Sequence, residues 1–406
     1  MPPVRVHVKQ RKRLQRKLRL VLQLYALRRK RKRREGNEAL AQANDTISRC
    51  CIKLAHRYLT LSLLTFNRGE LGKGMPRFTE YAQLEMHGEQ KTKTDFTFFL
   101  VEIKRLMKLL QLPASGTFRW PLQGAKFHTY NCFECLLITL YRLHEGASFR
   151  CMCDIFGLAE CRLSEAFNVF TKFLHDTYVG QLHDLSLWAH LAKESARAFS
   201  NKGFPLKNCF AFLDGKIYRT CKPEDAEAEH YSWCDPKKKN GYNYQAFIAA
   251  CGLHIGFFGP GDARRVDAYH YRNMGLHDQI VHASQECELQ HGEGGFHTFS
   301  DGGYPISEHN LVGYKGNKTD DQSAFNHSCH GKGRVGVEWK FANKLQQYPM
   351  VDNFKKMKQH LSATAHWTYA TAIIHNWHVC CYGGQVSSYF NVEPPSLREY
   401  FTVGFD

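Results

Sequence analysis

No run of about 18 uninterrupted apolar residues occurs in this 406-residue chain, so a membrane-crossing helix is not expected. The stretch Leu18–Leu27 carries Arg19 and Gln23, runs into Arg28–Arg34 and has no small-residue cleavage site; it makes a poor signal peptide. There is no internal repeat, and no P-loop, dinucleotide fingerprint or nucleophile elbow. The 15 cysteines are an odd number in a long chain, with neighbouring pairs at Cys50–Cys51 and Cys380–Cys381. They read as reduced, intracellular thiols rather than a secreted disulfide framework. The absence with the largest consequence is local: residues 1–34 contain 15 Lys and Arg and not one acid.

That local absence reassigns the net charge of +17. With 55 Lys+Arg and 38 Asp+Glu in total, the other 372 residues hold 40 basic against 38 acidic side chains, a net of +2. An apolar content of 43% and a charged content of 23% belong to a globular chain of two or three domains. Residues 1–36 form a basic arm in which Leu14, Leu18, Val21, Leu22 and Tyr25 recur at near-helical spacing. Its cluster Arg28, Arg29, Lys30, Arg31, Lys32, Arg33 and Arg34 reads as a nuclear import signal or nucleic-acid patch. The bland alternative is a solubilising tail, and membrane-surface binding is weaker still because large apolar side chains are scarce after Leu27. Residues 37–94 read as a helical segment and linker, the latter marked by Gly69, Gly72, Gly74 and Pro76.

Residues 95–204 are patterned as an all-helical domain. Phe98, Phe99, Val101, Ile103, Leu106 and Leu110 mark one helix that stops before Pro113, and another runs from about Cys132 to Leu143. A short helix at Phe149–Phe156, a turn at Gly157-Leu158-Ala159 and a longer helix at Arg162–Leu174 have the helix-turn-helix layout, whose second helix can enter a major groove. An ordinary helical hairpin gives the same pattern, and Arg162, Lys172 and Arg150 are the only basic residues on it. The C-x₂-C of Cys132 and Cys135, with Cys151 and Cys153, has zinc-like spacing, but an apolar helix makes small hydrophobes of the first pair. His375 and His378 likewise read as core histidines.

From about residue 205 the texture changes to short β-like runs: Cys209–Leu213, Ile217–Cys221, Tyr244–Cys251, His254–Phe258 and Phe296–Ser300. Helices return at Tyr271–Glu288, Arg334–Gln346, Asn353–Leu361 and Ala363–Cys381, giving an α/β or α+β domain over 205–390 and a tail at 391–406. Asp214 and Asp301 each end an apolar run, and Glu338 lies in a helical segment. Acids placed so can bring hard oxygen ligands to Mg²⁺ or Mn²⁺, and two such ions can activate water and stabilise a leaving oxygen. Each acid alone also has a bland reading, as a turn residue or a solvated helix residue.

The motifs around these acids resemble the DDE endonuclease domain of PIF/Harbinger-type transposases over residues 205–382. They are F-L-D-G-K-I around Asp214, K-K-K-N-G-Y-N-Y-Q-A at 237–246, G-P-G-D-A-R-R-V-D at 259–267, S-D-G-G-Y-P at 300–305, R-V-G-V-E-W-K-F at 334–341 and I-I-H-N at 373–376. The resemblance implies an RNase H-like fold with Asp214, Asp301 and Glu338 as catalytic, metal-binding acids, 86 and 36 residues lying between them. It also implies a helical DNA-binding region upstream and, often, a separate Myb-like DNA-binding partner. Val266-Asp267 stands where relatives usually carry His-Asp, so Asp267 reads as a structural or polar-loop residue, and Gly302-Gly303 replaces the usual pair after the second acid.

The expected chemistry is hydrolysis of a phosphodiester at an element's end, followed by attack of the freed 3′-OH on target DNA. Asp214 and Asp301 would share the metal ions and Glu338 would complete the second ion's shell. Arg334, one helical turn before Glu338, is expected to reach a phosphate, and Lys237, Lys238 and Lys239 to track the backbone; solvated surface charge is the alternative for both. A domesticated descendant that binds DNA without transposing, and a stand-alone nuclease, are the competing functions. The partners expected are DNA, the Myb-like protein and a second copy of the chain, in the nucleus and not at a membrane.

Overall fold

The structure, a computed structural model, describes residues 78–122 and 126–405. Phe78–Phe149 and Glu160 onward pack as one compact unit, and Arg150–Ala159 falls outside it. The basic arm with Arg28–Arg34, and residues 37–77, lie outside the described residues.

Upstream are helices α1 (Tyr81–His87), α2 (Glu89–Phe96) and α3 (Leu100–Leu109). The region from 95 to 204 is not all-helical: strands β1 (Thr117–Pro121) and β2 (Phe127–Asn131) pair as an antiparallel hairpin, Thr117 opposite Asn131. Aromatic and β-branched residues such as Phe118, Trp120, Thr129 and Tyr130 favour that pairing, and runs this short carry no helical period to betray it. Helix α4 (Cys132–Glu145) starts where the Asn131 side chain accepts the N–H groups of Phe133 and Glu134, and ends at Gly146 in the left-handed region.

Helix α5 (Phe149–Phe156) and helix α6 (Glu160–Tyr178) match the two expected around Gly157. Leu163, Ala166, Phe167, Phe170 and Leu174 form the buried stripe of α6. Helix α7 (Gly180–His183), a 3₁₀ stretch at Leu185–Leu191 and helix α8 (Ala192–Asn201) lead to the sheet.

The sheet contains β3 (Cys209–Arg219), β4 (Trp233–Cys234), β5 (Lys239–Ile248), β6 (His254–Asp262), β7 (His297–Ser300) and β8 (Asn310–Val312). Its order is β6-β5-β3-β7-β8, with β4 paired to the start of β5. The β6-β5-β3 half is antiparallel; β7 and β8 run parallel to β3. Between and after them lie α9 (Ala226–Ser232), α10 (Asp267–Asn273), α11 (Leu276–His291), α12 (Asp320–Cys329), α13 (Val335–Gln347), α14 (Thr364–Tyr382), α15 (Gln385–Phe390) and α16 (Leu397–Thr402). This mixed sheet covered by helices is compatible with an α/β nuclease domain.

Three expectations are corrected. Cys209–Leu213 and Ile217–Cys221 belong to one strand, because Asp214 and Gly215 pair with Ala246 and Gln245 instead of turning. Tyr271–Glu288 breaks at Met274-Gly275, where Gly275 takes φ 65°. Asn353–Leu361 holds only a 3₁₀ turn at Phe354–Lys356, and His360 at φ 59° opposes a helix.

An aromatic cluster locks the sheet to its cover. Phe212 of β3 lies 4.4 Å from Phe199 of α8 and 5.1 Å from Phe204, and Phe204 lies 5.4 Å from Phe299 of β7. All four are buried, each contributing roughly 1.5–3 kcal/mol.

Candidate metal centre

Backbone register alone brings two of the three acids together. Leu213 of β3 stands opposite Ser300 of β7 in parallel pairing, so Asp214, the next residue of β3, and Asp301, the first residue after β7, follow that pair side by side. Ser300 Oγ and the side chain of Asn310 on β8 hydrogen-bond at 3.1 Å, and Asn310 Nδ2 donates to the carbonyl of Pro305 at 2.8 Å. The loop that follows Asp301 is thereby tied down. The Gly215 N–H donates to Asp214 Oδ1 at 2.9 Å and the Gly303 N–H to Asp301 Oδ1 at 2.7 Å.

The third acid comes from helix α13, which packs on β3 and β5. Between α12 and α13 the chain makes a π-helical turn at His330–Arg334, a distortion often found at functional sites. Gly333 lies there against Phe204 and Phe212; a Cβ on it would sit 2.6 Å from both rings. Only glycine permits that approach, which sets Arg334 beside Asp214 and Asp301 and Glu338 in the first turn of α13. The Arg334 guanidinium is then surrounded by all three acids. Nη2 donates to Glu338 Oε1 at 3.0 Å and lies 3.8 Å from Asp214 Oδ2, while Nη1 lies 3.4 Å from Asp301 Oδ2. His330 Nε2 is 3.4 Å from Glu338 Oε1. The Arg334 and Asp214 side chains are 14% and 16% exposed, against 35% for Asp301 and 45% for Glu338, so the first two form the more buried floor and the last two the open rim.

A fourth acid stands beside them. Asp267, at the first turn of α10, accepts from Gln245 Nε2 at 3.2 Å, and the Tyr304 hydroxyl donates to Gln245 Oε1. A Cβ at position 215 would meet Asp267 Oδ1 at 2.5 Å and Gln245 Nε2 at 2.8 Å, so the glycine beside Asp214 makes room for this network. Burial pushes the Asp214 carboxyl up to about 6; Arg334 pulls it back, and the charges of Asp301 and Asp267 add to the rise. Burial likewise holds the Tyr304 hydroxyl protonated, reinforced by the neighbouring acids.

The donor set is made of carboxylate oxygens converging on one positive group. That chemistry suits a hard divalent cation, and the guanidinium marks where positive charge is stabilised. Asp214, Asp301 and Glu338 are the residues that would hold it.

The remaining candidates are dispersed. Arg334 faces the acids instead of open solvent. Lys239 opens β5, seven residues from the Ala246 that pairs with Asp214, or about 23 Å along the strand; Lys238 pairs with Asp235 at 2.7 Å. Arg162 donates to the carbonyl of Thr129 at 3.3 Å and lies over the Tyr130 ring, and Lys172 pairs with Asp176 at 2.5 Å. Cys132 and Cys135 are buried in α4 with thiols pushed up by burial, and His375 is buried in α14. Asp267, read from sequence as a structural or polar-loop residue, is held by Gln245 beside the other three acids. Gln245 and Tyr304 lie inside the quoted motifs at 237–246 and 300–305, but nothing in those motifs says that the two meet.

No curated protein and no solved structure matches the chain. Residues 213–376 match the DDE superfamily endonuclease family, and this stretch contains all four acids and Arg334, supporting a DDE, transposase-like endonuclease domain there.

Proposed function

We propose that this chain is a divalent-metal-dependent DNA endonuclease of the transposase type, in the PIF/Harbinger branch, that cleaves phosphodiesters at element ends and joins the freed 3′-OH to target DNA. The observation that carries the reading is the convergence of Asp214, Asp301 and Glu338, drawn from two adjacent parallel strands and helix α13, on one cation-binding point. The antiparallel β6-β5-β3 half followed by parallel β7 and β8, with acids on β3 and just after β7, supports an RNase H-like reading of the domain.

Asp214 and Asp301 would hold Mg²⁺ or Mn²⁺ between them, with Glu338 completing the shell of a second ion. When bound, the metal supplies activation of water and stabilisation of the leaving oxygen. The chain supplies the rest. The Gly215 and Gly303 amides orient Oδ1 of Asp214 and of Asp301, and Oδ2 of each faces Arg334. Gln245 holds Asp267 in place, adding negative charge that favours cations. Arg334 is the donor closest to the acids and is placed to pair with a phosphate that enters beside them. No covalent protein nucleophile is required.

The basic arm, with Arg28–Arg34, would direct nuclear import and non-specific DNA contact. Lys237–Lys239, Arg162 and Lys172 would grip the DNA backbone, with Lys238, Arg162 and Lys172 exchanging their present partners. A Myb-like protein and a second copy of the chain remain the proposed partners. The test is cleavage of supercoiled plasmid and of candidate end sequences with Mg²⁺ or Mn²⁺. Wild type should nick and linearise the DNA while Asp301→Ala does not; equal behaviour of the two proteins overturns the reading.

A further inference from the structure

A second group of metal-ligating side chains lies apart from the acid cluster, where α6 meets the start of α14. His175 and Asp176 come from the last turn of α6, and His366 from the first turn of α14. One ligand atom from each lies within 4.8 Å of the others. His175 Nδ1 and Asp176 Oδ1 are 3.1 Å apart, and the imidazoles of His175 and His366 are adjacent, 4.7 Å between centroids and tilted by 44°. Tetrahedral ligands about 2.0–2.1 Å from a metal stand about 3.3 Å apart, so small side-chain rotations suffice to close this set. Among the described residues no hydrogen-bond partner holds the His366 ring, which leaves its nitrogens available.

We propose that His175, Asp176 and His366 form a binding site for a zinc-class divalent ion, with a fourth position left to water. Two imidazoles and one carboxylate select a borderline-soft ion, whereas the all-oxygen cluster around Arg334 selects a hard one. The chain thus offers two sites of different appetite.

The position indicates what the ion does. His366 lies within the stretch that matches the endonuclease family, and His175 and Asp176 lie upstream of it. The two helices already meet through Trp367, whose Nε1 donates to Asn168 Oδ1 at 2.9 Å and whose ring lies 5.3 Å from Phe167. An ion at their ends would staple the upstream helices to the endonuclease domain. It would compete with Lys172, whose Nζ sits 2.5 Å from Asp176 Oδ2, and would release that lysine.

The test uses the full chain, stripped of metal and titrated with Zn²⁺ against a chromogenic indicator, and with Co²⁺ while its visible d–d absorption is followed. Wild type and Asp301→Asn should both take up the ion with the same affinity, because the acid cluster is a different site. His366→Ala should lose at least about tenfold, some 1.4 kcal/mol, and Asp176→Asn should also weaken. Lys172→Met should bind more tightly, which keeps the proposal testable if His366→Ala does not fold. Unchanged affinity in His366→Ala overturns the site. A loss of Zn²⁺ in Asp301→Asn alone would assign the ion to the acid cluster and overturn it too.

Discussion

Replacing Arg334 by alanine leaves Asp214, Asp301 and Glu338 facing one another with no counter-cation. The guanidinium lies 3.0–3.8 Å from the three carboxylates, which at an effective dielectric constant near 20 is about 4–6 kcal/mol of gross attraction per pair. Desolvation of the nearly buried arginine opposes this, and the exposure of Glu338 weakens its share. Removing one partner from a buried ionic group costs roughly 3–5 kcal/mol; with those discounts, the metal-free Arg334→Ala protein should lose about 2–4 kcal/mol. For a domain of this size that is a Tm lower by about 5–15 °C. Mn²⁺ supplies the missing positive charge, so it should raise the Tm of the variant more than that of wild type. Calorimetric melts in chelator and in saturating Mn²⁺ read both effects. If the variant melts with wild type in chelator, or gains no more from Mn²⁺, the arginine does not occupy the cation's place.

Other consequences follow from single contacts. Gly215→Ala puts a Cβ 2.5 Å from Asp267 Oδ1, so plasmid cleavage should fall at least tenfold, with about 1–3 kcal/mol of destabilisation in denaturant melts; wild-type cleavage would show that the network under Asp214 is slack. Lys344 is buried over the rings of Phe257 and Tyr218 with no hydrogen-bond partner for Nζ among the described residues, and burial pushes its pKa well below the usual 10.5. The unfolded chain keeps that proton up to about pH 10 while the folded chain has lost it, so the Lys344 contribution to stability rises with pH across that window. Lys344→Met should remove that slope and stabilise the protein on the order of 1–4 kcal/mol near pH 7; urea melts across the range measure both, and a destabilised variant would mean that the ring faces hold a charged amine. Asn131→Ala removes the cap of α4 and should cost about 0.5–2 kcal/mol without changing Mn²⁺ affinity, which thermal melts and metal titration check separately.

Asp214 and Asp301 were marked by a local signature, an apolar run followed by Asp and then Gly. Motif order around them supplied Glu338, which no local pattern marks. The exchange of partners was not legible. Nothing near Arg334 says that its guanidinium faces the acids, because that depends on Gly333 docking against Phe204 and Phe212 from distant segments. The hydrogen bond from Gln245 to Asp267 was not legible for the same reason: the two residues are 22 apart in the chain. Asp214-Gly215 has the chemistry of a turn, yet tertiary pairing with β5 keeps it extended. The hairpin β1–β2 escaped because two five-residue strands lie between strongly helical neighbours.

The claim that three carboxylates form one divalent-metal centre is tested most directly by calorimetric titration of Mn²⁺ into the full-length protein and its Asp214→Asn, Asp301→Asn, Glu338→Gln and Asp267→Asn variants. The expected result is a loss of affinity of at least about tenfold, some 1.4 kcal/mol, in each of the first three and a smaller loss in Asp267→Asn. Wild-type Mn²⁺ affinity in Asp214→Asn or Asp301→Asn would contradict it.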